Sequence, residues 1–379
     1  MKWLFFVSVS LVGYTYLGYP LWLWVRSRWH PRPVQAGPYS GSISIVMVVR
    51  NEAAVLEGKL RNLIQLNYPA GRPEIIVVSD GSTDRTNNIL SEFALAAGVR
   101  AILHQRPRGK AAGLNDAVRA ARGDLVIFMD ARQEIEFDAV RLLVENFADP
   151  TIGCASGELM LGNLRSEDAA GMGLYWRIEK KIRELEALSG SMIGATGALY
   201  AVRRSLLVDL PEETILDDVF IPMHTLRQGM RAIFDSRARA WDVPDQGTQR
   251  EFGRKVRTLS GNYQLLQLAP WLLTRANPEL FEFVSHKLMR LLVPFALGAA
   301  LFASFLIPGL LYRVALVLQL SFYGLGVWRL VGPKHGPVAR VADAALTLIV
   351  LNTAAVVAFA NFVTGREIAW ANSSGSGDR

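Results

Sequence analysis

Carboxylates lie at three points of this chain where they could bind a metal ion or take part in catalysis. Asp80 and Asp130 each end an apolar run of the sequence. The adjacent pair Asp217 and Asp218 follows a third, shorter run. Uninterrupted apolar runs are typical of strands buried on both faces, and open α/β sheets bind ligands at the carboxyl ends of such strands. Carboxylates at those ends could hold a metal ion or accept a proton from a hydroxyl group.

The elements that would position these side chains alternate along the polar part of the chain. Apolar runs predict strands over residues 43–49, 74–80, 99–103 and 125–130. Helices are predicted between them, over residues 53–66, 85–97 and 110–121. This alternation indicates a mostly parallel, right-handed α/β sheet.

Apolar segments at both ends of the chain predict an integral membrane protein. Hydrophobic residues make up 51% of the sequence, which is high for a purely soluble enzyme. Four segments are long and apolar enough to be spans: 4–25, 291–312, 314–331 and 344–363. In an alternative reading, the second and third segments form a re-entrant hairpin, because Pro294, Pro308 and Gly309 interrupt them.

Basic residues beside the spans predict the orientation in the bilayer. The first span is followed by Arg26 and Arg28, and the second is preceded by Lys287 and Arg290. Because positive residues favour the cytosolic side, the polar region 33–286 is predicted to lie in the cytosol.

The overall charge and the cysteine content narrow the class of protein further. The chain has 379 residues and a net charge of +7, which suits an anionic bilayer surface. No motif for binding nucleic acid accompanies that charge, so nucleic acid is not predicted as a partner. The single cysteine, Cys154, excludes an intramolecular disulfide and fits a reducing compartment.

Five motifs carry a resemblance to a known family. They lie at residues 43–52, 77–84, 109–115, 130–132 and 216–218. In this order they resemble the membrane-bound family 2 glycosyltransferases of the GT-A fold, over about residues 42–260, and the spans add the layout of the cellulose and hyaluronan synthase-like branch. The resemblance implies an α/β fold class: a Rossmann-like, mostly parallel cytosolic GT-A domain plus α-helical transmembrane segments.

The resemblance also implies a binding site for a nucleotide-sugar donor, here a UDP-sugar. The residues that it assigns to this site are Arg50, Asn51, Glu52, Asp80, Lys110, Asn115, Asp130, Arg132, Arg254 and Arg257. Ordinary structural roles compete with this assignment. Asp80 could form an Asx-turn or a helix cap, and Lys110 and Asn115 could be unremarkable helix residues.

Asp130 matches the first aspartate of the family's Asp-any-Asp metal motif, but Arg132 replaces the second. The match implies Mg²⁺ or Mn²⁺ as cofactor, held by Asp130. Two interpretations of Arg132 follow from its charge. Either Asp130 holds the metal alone while Arg132 points away, or Arg132 grips the diphosphate and takes over part of the cation's role. We favour the first interpretation, in which the metal is retained.

Asp218 matches the aspartate that acts as general base in the family. The alternative is that Asp217 and Asp218 only complement the dipole of a following helix. The resemblance places the Gly-rich segment 190–200 near the acceptor, and the residues assigned to the acceptor site are Gly194, Thr196, Gly197 and Asp217. Plain turn chemistry would explain these glycines as well.

The basic segment 249–258 departs from the pattern of processive family members. Many of those carry a Gln-x-x-Arg-Trp motif after the base, and this segment lacks the tryptophan. Arg254 and Arg257 could close over the diphosphate. A basic amphipathic helix lying on anionic lipid is the alternative.

These inferences combine into one prediction of function. The chain is predicted to be an inverting glycosyltransferase of a bacterial-type inner (cytoplasmic) membrane, which moves a sugar from a UDP-sugar to a growing polysaccharide at the inner face. One alternative is transfer of a single sugar to a lipid such as polyprenyl phosphate, ceramide or a diacylglycerol. Another is an inactive GT-A scaffold subunit, motivated by Arg132. Three C-terminal spans are few for a channel, so an oligomer or an export partner is expected for extrusion.

The predicted domains follow the division of the chain into apolar spans and a polar region. They are an N-terminal anchor at 1–32, the GT-A domain at 33–245, interfacial basic helices at 246–290, three spans at 291–371 and a disordered tail at 372–379.

Overall fold

The computed structural model describes residues 1–69, 71–162, 174–243, 248–332 and 336–366. The predicted tail at 372–379 lies outside these residues. The strands are β1 (Ile43–Val49), β2 (Glu74–Asp80), β3 (Arg100–His104), β4 (Leu125–Phe128), β5 (Glu134–Ile135), β6 (Ile152–Leu161), β7 (Tyr200–Arg203) and β8 (Arg231–Asp242). The helices before the C-terminal spans are α1 (Lys2–Gly13), α2 (Tyr19–Trp29), α3 (Ala53–Gln65), α4 (Thr86–Ala97), α5 (Lys110–Ala120), α6 (Ala139–Glu145), α7 (Leu174–Ser189), α8 (Asp217–Arg227) and α9 (Thr248–Leu268). The remaining helices are α10 (Leu280–Phe283), α11 (Met289–Leu306), α12 (Leu310–Trp328) and α13 (Pro337–Thr364).

The strands form one mixed sheet in the order β3-β2-β1-β4-β7-β6-β8-β5. The pairs β1–β2, β2–β3, β1–β4 and β6–β8 are parallel, and β4–β7, β6–β7 and β5–β8 are antiparallel. The predicted α/β class with a mostly parallel, Rossmann-like sheet is confirmed. The chain passes from β1 to β2 on one side and returns to β4 on the other, so the strand order reverses between β1 and β4. Open α/β sheets bind their ligands at such a reversal.

The central strands are buried on both faces, which explains their uninterrupted apolar runs. In β1, Ile45 and Met47 face a core formed with α3, α4 and α6, while Val46 and Val48 face a second core formed with α5 and α8. The strand predicted over 125–130 ends at Phe128, because β1 and β7 pair with it only as far as that residue. Asp130 therefore lies just beyond the strand end.

Among the residues that the structure describes, four helices are long and apolar enough to cross a membrane, as the sequence predicts: Lys2–Trp29, Leu280–Leu306, Leu310–Trp328 and Val338–Thr364. The second of them begins at Leu280, well before the predicted residue 291, because a π-helical turn at Val284–Leu288 joins α10 to α11 without a break. Pro294 lies inside α11, and the chain turns at Pro308 and Gly309.

The apolar helices pack directly against the sheet domain. Tyr19 and Leu23 of the first span form a buried cluster with Ile182 and Leu185 of α7. At the other end of the chain, Tyr263 of α9 stacks on a phenylalanine of α13 with ring centroids 5.1 Å apart. The sheet domain and the spans thus share side-chain contacts at both ends of the chain.

Candidate active site

Lys110 joins two carboxylates that are far apart in the sequence. Gly109 has a φ of +96° and ends the loop that leads into α5, so Lys110 is the first residue of that helix. Its Nζ lies 3.0 Å from Asp130 Oδ1 and 3.2 Å from Asp217 Oδ1. Burial alone would lower the pKa of Lys110, but the surrounding carboxylates outweigh it and hold the pKa above its usual value. Lys110 is therefore a fixed positive charge.

Asp217 and Asp218 begin α8 but have different surroundings. Asp217 is buried, and its Oδ2 accepts a hydrogen bond of 3.2 Å from the Tyr200 hydroxyl. Burial, together with the negative charge of Asp217, raises the pKa of Asp218 to about 6, although Lys110 acts in the opposite direction. A carboxylate with that pKa can accept a proton near neutral pH more readily than an ordinary aspartate.

Gly197 lies between two carboxylates. A Cβ placed on Gly197 would lie 3.3 Å from Asp130 Oδ2 and 3.8 Å from Asp218 Oδ2. The predicted acceptor residues Gly197 and Asp217 are thus gathered with the predicted base. Thr196 is buried and its N–H donates to Ser156 Oγ, so its backbone anchors the same loop.

Arg257 of α9 faces the same group of carboxylates. Burial lowers the pKa of Arg257, and the negative charges of Asp217, Asp130 and Asp218 work against that effect. Its buried Nε has no hydrogen-bond partner among the described residues. Arg254, also on α9, has an exposed side chain. The two arginines predicted to act together therefore occupy different environments.

Arg132 is bound to a carboxylate that the sequence analysis missed. Its Nη2 lies 3.3 Å from Asp242 Oδ1 at the end of β8, and Gln133 Nε2 lies 3.2 Å from the other oxygen of Asp242. Buried Lys59 donates in turn to the Gln133 carbonyl oxygen, at 2.8 Å. This geometry is what the first interpretation of Arg132 requires, because the guanidinium is paired away from Asp130. No motif links positions 132 and 242, so their pairing has no signal in the sequence.

Asp80 is fully buried and organises the loop that precedes α5. Its oxygens accept hydrogen bonds from the backbone N–H groups of Arg108, at 2.7 Å, and Gly109, at 2.9 Å. His104 Nδ1 lies 3.2 Å from the same carboxylate. Asp80 thereby fixes the start of α5 and hence Lys110. Its predicted contact with the nucleoside stays a prediction.

The loop after β1 is held by side chains of the neighbouring strand end. Asn51 has a φ of +54°, and its Oδ1 accepts a hydrogen bond of 2.8 Å from the Thr83 backbone. The Glu52 N–H donates to Thr86 Oγ1 at 3.0 Å. Arg50 is partly buried beside them. These residues line the point of strand reversal at the end of β1.

Asn115 has a structural role in this geometry. Its amide donates to the Leu210 carbonyl and accepts from the Leu210 N–H, both at 2.8 Å. The amide is therefore engaged in holding the segment before α8. These contacts fit the ordinary structural role considered for Asn115, and its predicted contact with the donor stays a prediction.

A divalent cation fits this site only if the substrate supplies most of its ligands. Among the described residues, no group of three or more His, Cys, Asp or Glu side chains is placed to hold a metal ion. The Asp130 side chain is 41% exposed, and Lys110 binds its Oδ1, while no described residue forms a hydrogen bond or an ion pair with its Oδ2. Mg²⁺ commonly uses one or two carboxylates and takes its other ligands from phosphates and water. The residues present fit that arrangement, with Asp130 as the protein ligand.

Comparison with known proteins bears on the fold and the family of the chain. Residues 44–210 match the family model described as Glycosyl transferase family 2. This part of the chain is therefore a family 2 glycosyltransferase domain, and its fold is GT-A.

Individual relatives extend this comparison. The poly-beta-1,6-N-acetyl-D-glucosamine synthase of Staphylococcus aureus (strain COL) is 25% identical over 233 residues, which are 59% of this chain and 55% of that protein. The synthase of Staphylococcus epidermidis is 25% identical over 234 residues, which are 60% of this chain and 56% of that protein. The chain thus spans about half the length of these curated relatives.

One solved structure shares the arrangement of nearly the whole chain. A mannosyltransferase from Pyrobaculum calidifontis, in complex with GDP-Man and Mn²⁺, superposes with a TM-score of 0.72 at 22% identity. The match covers 96% of this chain and 100% of the other, so the two folds agree in the apolar helices as well as in the sheet domain.

Proposed function

We propose that this chain is an inverting glycosyltransferase that moves a sugar from a UDP-sugar to a growing polysaccharide at the inner face of a cytoplasmic membrane. The observation that carries the proposal is the group of Asp130, Asp217 and Asp218 around Lys110, beside the strand reversal of a family 2 domain. The relatives named as polysaccharide synthases support the polymer acceptor. The basic residues beside the spans support a cytosolic domain.

The donor side of the site must neutralise the negative charge that develops on the leaving diphosphate. Lys110 supplies a positive charge in a fixed position, and Arg257 supplies a second one from α9. Asp130 would hold Mg²⁺ or Mn²⁺ against the donor phosphates, and the cation would stabilise the same charge when bound. Asp80 keeps the loop before Lys110 in place.

The acceptor side needs one proton acceptor and no covalent nucleophile. Asp218 takes the proton of the acceptor hydroxyl as its oxygen bonds to the anomeric carbon of the sugar. The bond from that carbon to the diphosphate breaks with its electron pair on the leaving group. Because the oxygen attacks from the face opposite the diphosphate, the anomeric configuration inverts. Gly197 leaves the space between Asp130 and Asp218 in which this exchange takes place.

The experiment uses the full chain in lipid with a panel of radiolabelled nucleotide sugars, Mg²⁺ or Mn²⁺, and sizing of the products. A ladder of sizes from a UDP-sugar supports the proposal. A single labelled lipid indicates one-step transfer instead. UDP binding without transfer or hydrolysis under all conditions indicates an inactive scaffold and refutes the proposal.

A further inference from the structure

Asp130 lies on a short segment that leads from one strand to the next without belonging to either. The Met129 N–H donates to the Val46 carbonyl oxygen at 3.2 Å, just beyond the end of β4. Strand pairing resumes at Glu134, the first residue of β5. Because residues 130–133 lie between these two points, the contacts at the far end of this segment help to set the position of the Asp130 carboxylate.

Helix α3 contacts the far end of that segment through two side chains. Lys59 Nζ donates to the Gln133 carbonyl oxygen at 2.8 Å. About one turn further along the same face, the Asn62 side chain exchanges two hydrogen bonds of 2.9 Å with the N–H and the carbonyl group of Ile135. Ile135 is also paired with Ala240 of β8, so Asn62 adds to a pairing that is already present. Lys59 instead binds the segment before that pairing begins.

On its other side, the segment is bound twice by Asp242 of β8. Arg132 Nη2 and Gln133 Nε2 each contact one oxygen of that carboxylate, at 3.3 Å and 3.2 Å. If one of these contacts is lost, the other still joins the segment to β8. Among the described residues, the Gln133 carbonyl oxygen accepts a hydrogen bond from Lys59 alone. The contact between α3 and residue 133 therefore has no duplicate there.

The burial of Lys59 is costly for a lysine. The residue is 4% exposed and makes no ion pair with any described residue. Burial lowers the pKa of Lys59 to about 7, and the negative charges of Asp130 and Glu134 act in the opposite direction. A methionine would fill the same space without burying a polar group, so the distinctive contribution of the amine is its bond to Gln133. The amine can donate that bond whether it is charged or neutral.

We propose that Lys59 is a positioning residue for the donor side of the reaction. By binding the Gln133 carbonyl oxygen, it fixes residues 130–133 against α3 and keeps Asp130 in the position from which it would bind the metal ion. The inference rests on the proposed use of a nucleotide sugar together with Mg²⁺ or Mn²⁺. Groups that orient a metal ligand without touching the metal commonly contribute about ten- to a hundredfold to metal affinity.

The direct test is binding of Mn²⁺ to the full chain in detergent with UDP present, measured by the electron paramagnetic resonance signal of free Mn²⁺. Lys59→Met has a side chain of similar length that cannot donate a hydrogen bond. It is expected to raise the dissociation constant of Mn²⁺ about tenfold or more. Lys59→Arg retains a donor and should stay close to wild type.

Asn62→Ala is the matched control for Lys59→Met. It removes two hydrogen bonds between the same helix and the same stretch of chain, but Ile135 keeps its pairing with β8. The temperature of thermal unfolding should fall in both variants. Binding of Mn²⁺ should be weakened in Lys59→Met and unchanged in Asn62→Ala.

Steady-state kinetics separate loss of positioning from loss of stability. In Lys59→Met, the KM for the nucleotide sugar should rise when Mn²⁺ is limiting and approach the wild-type value when Mn²⁺ is saturating. The KM for the acceptor should stay the same, because the acceptor side of the site does not depend on residues 130–133. A variant that is only less stable would lose kcat through a smaller folded fraction and keep both KM values.

Binding of Mn²⁺ by Lys59→Met that equals wild type overturns the proposal, and so does an equal loss of binding in Asn62→Ala. If Lys59→Met does not fold, a structure of wild type with UDP and Mn²⁺ decides the question. The proposal requires Asp130 on the metal ion and the Gln133 carbonyl oxygen on Lys59, and the absence of either contact refutes it.

Failure of the proposed function gives a different result. A wild type that binds UDP and Mn²⁺ but transfers no sugar to any acceptor refutes the transferase proposal, and the role of Lys59 is still decided by the binding measurements. If wild type binds neither UDP nor Mn²⁺, both proposals fail.

Discussion

Asp218 owes its proposed role to its surroundings more than to its residue type. It shares the start of α8 with Asp217, but Asp217 is held by Lys110 and Tyr200, whereas burial and the adjacent charge shift the acidity of Asp218. Asp218→Asn should lower transfer by a factor of about 10² to 10⁴, since the amide cannot accept the proton. UDP affinity should change by no more than a few fold. Asp209→Asn, at an exposed surface position, is the control, and a fully active Asp218→Asn removes Asp218 from the mechanism.

The acidity of Asp218 also predicts the pH dependence of the reaction. Its pKa of about 6 means that the base becomes protonated as pH falls through 6, so kcat/KM should decline on the acidic side with an apparent pKa near that value. Because the negative charge of Asp217 contributes to the raised pKa, Asp217→Asn should move this limb to lower pH. Initial rates of wild type and of Asp217→Asn between pH 4.5 and 8 give the apparent pKa of each protein. An apparent pKa that is the same in the variant contradicts the assignment of Asp218 as the base.

Arg132 departs from the family's metal motif, and its contacts indicate a structural role. Replacing it with methionine should leave the Mg²⁺ and Mn²⁺ dependence of transfer unchanged, because its guanidinium is paired with Asp242 rather than with Asp130. The free energy of unfolding should fall by about 1–2 kcal/mol, since Asp242 loses a partly buried charged partner. Metal titrations and thermal unfolding measure the two effects. A stronger metal requirement in Arg132→Met would show that the arginine replaces part of the cation.

At the scale of elements, the Gly-rich loop is the segment that brings the donor and acceptor sides together. Gly197→Ala places a methyl group 3.3 Å from Asp130 Oδ2 and so occupies space between the two carboxylates. Transfer is expected to fall about tenfold or more, with a smaller effect on thermal unfolding, because the site is partly open. Gly253→Ala is the matched control, since an added Cβ there meets nothing within 4 Å. Equal activity of the two variants would show that the reaction does not take place beside Gly197.

The elements also show which features of the fold the sequence could predict. The strands β1, β2 and β4 are buried on both faces, so their apolar runs mark them, and their order along the chain predicts a parallel sheet. The antiparallel insertion of β7 beside β4 has no such mark, because it depends on pairing between segments some 75 residues apart in the sequence. The early start of the second apolar helix was missed because His286, Lys287 and Arg290 interrupt its hydrophobic pattern.

Contacts between segments that are distant in the sequence also limit what can be predicted about the site. Asp130 and Asp218 each lie next to an apolar run that marks a strand or helix end, whereas Lys110 is assigned to the site by the family resemblance. The structure brings the three side chains together. The pairing of Arg132 with Asp242 depends on a side-chain contact between distant elements. Local sequence pattern carries no information on such contacts.

For the whole molecule, the orientation in the membrane can be tested with introduced cysteines. The native Cys154 is fully buried, so it should react little with a membrane-impermeant maleimide. A cysteine at Leu95, which is 92% exposed on the sheet domain, should react only after the cells are permeabilised. A cysteine at Leu310, 79% exposed at the turn between the second and third apolar helices, should react in intact cells. The reverse labelling would place the domain outside.

The contacts of Glu186 have a mechanical consequence. Its Oε1 accepts a hydrogen bond of 2.6 Å from the Tyr19 hydroxyl of the first apolar helix and lies 2.7 Å from His286 of the second. Through this one carboxylate, α7 is joined to both apolar helices. A displacement of either helix along its axis would therefore be passed to α7 and to the strand β8 that packs against it.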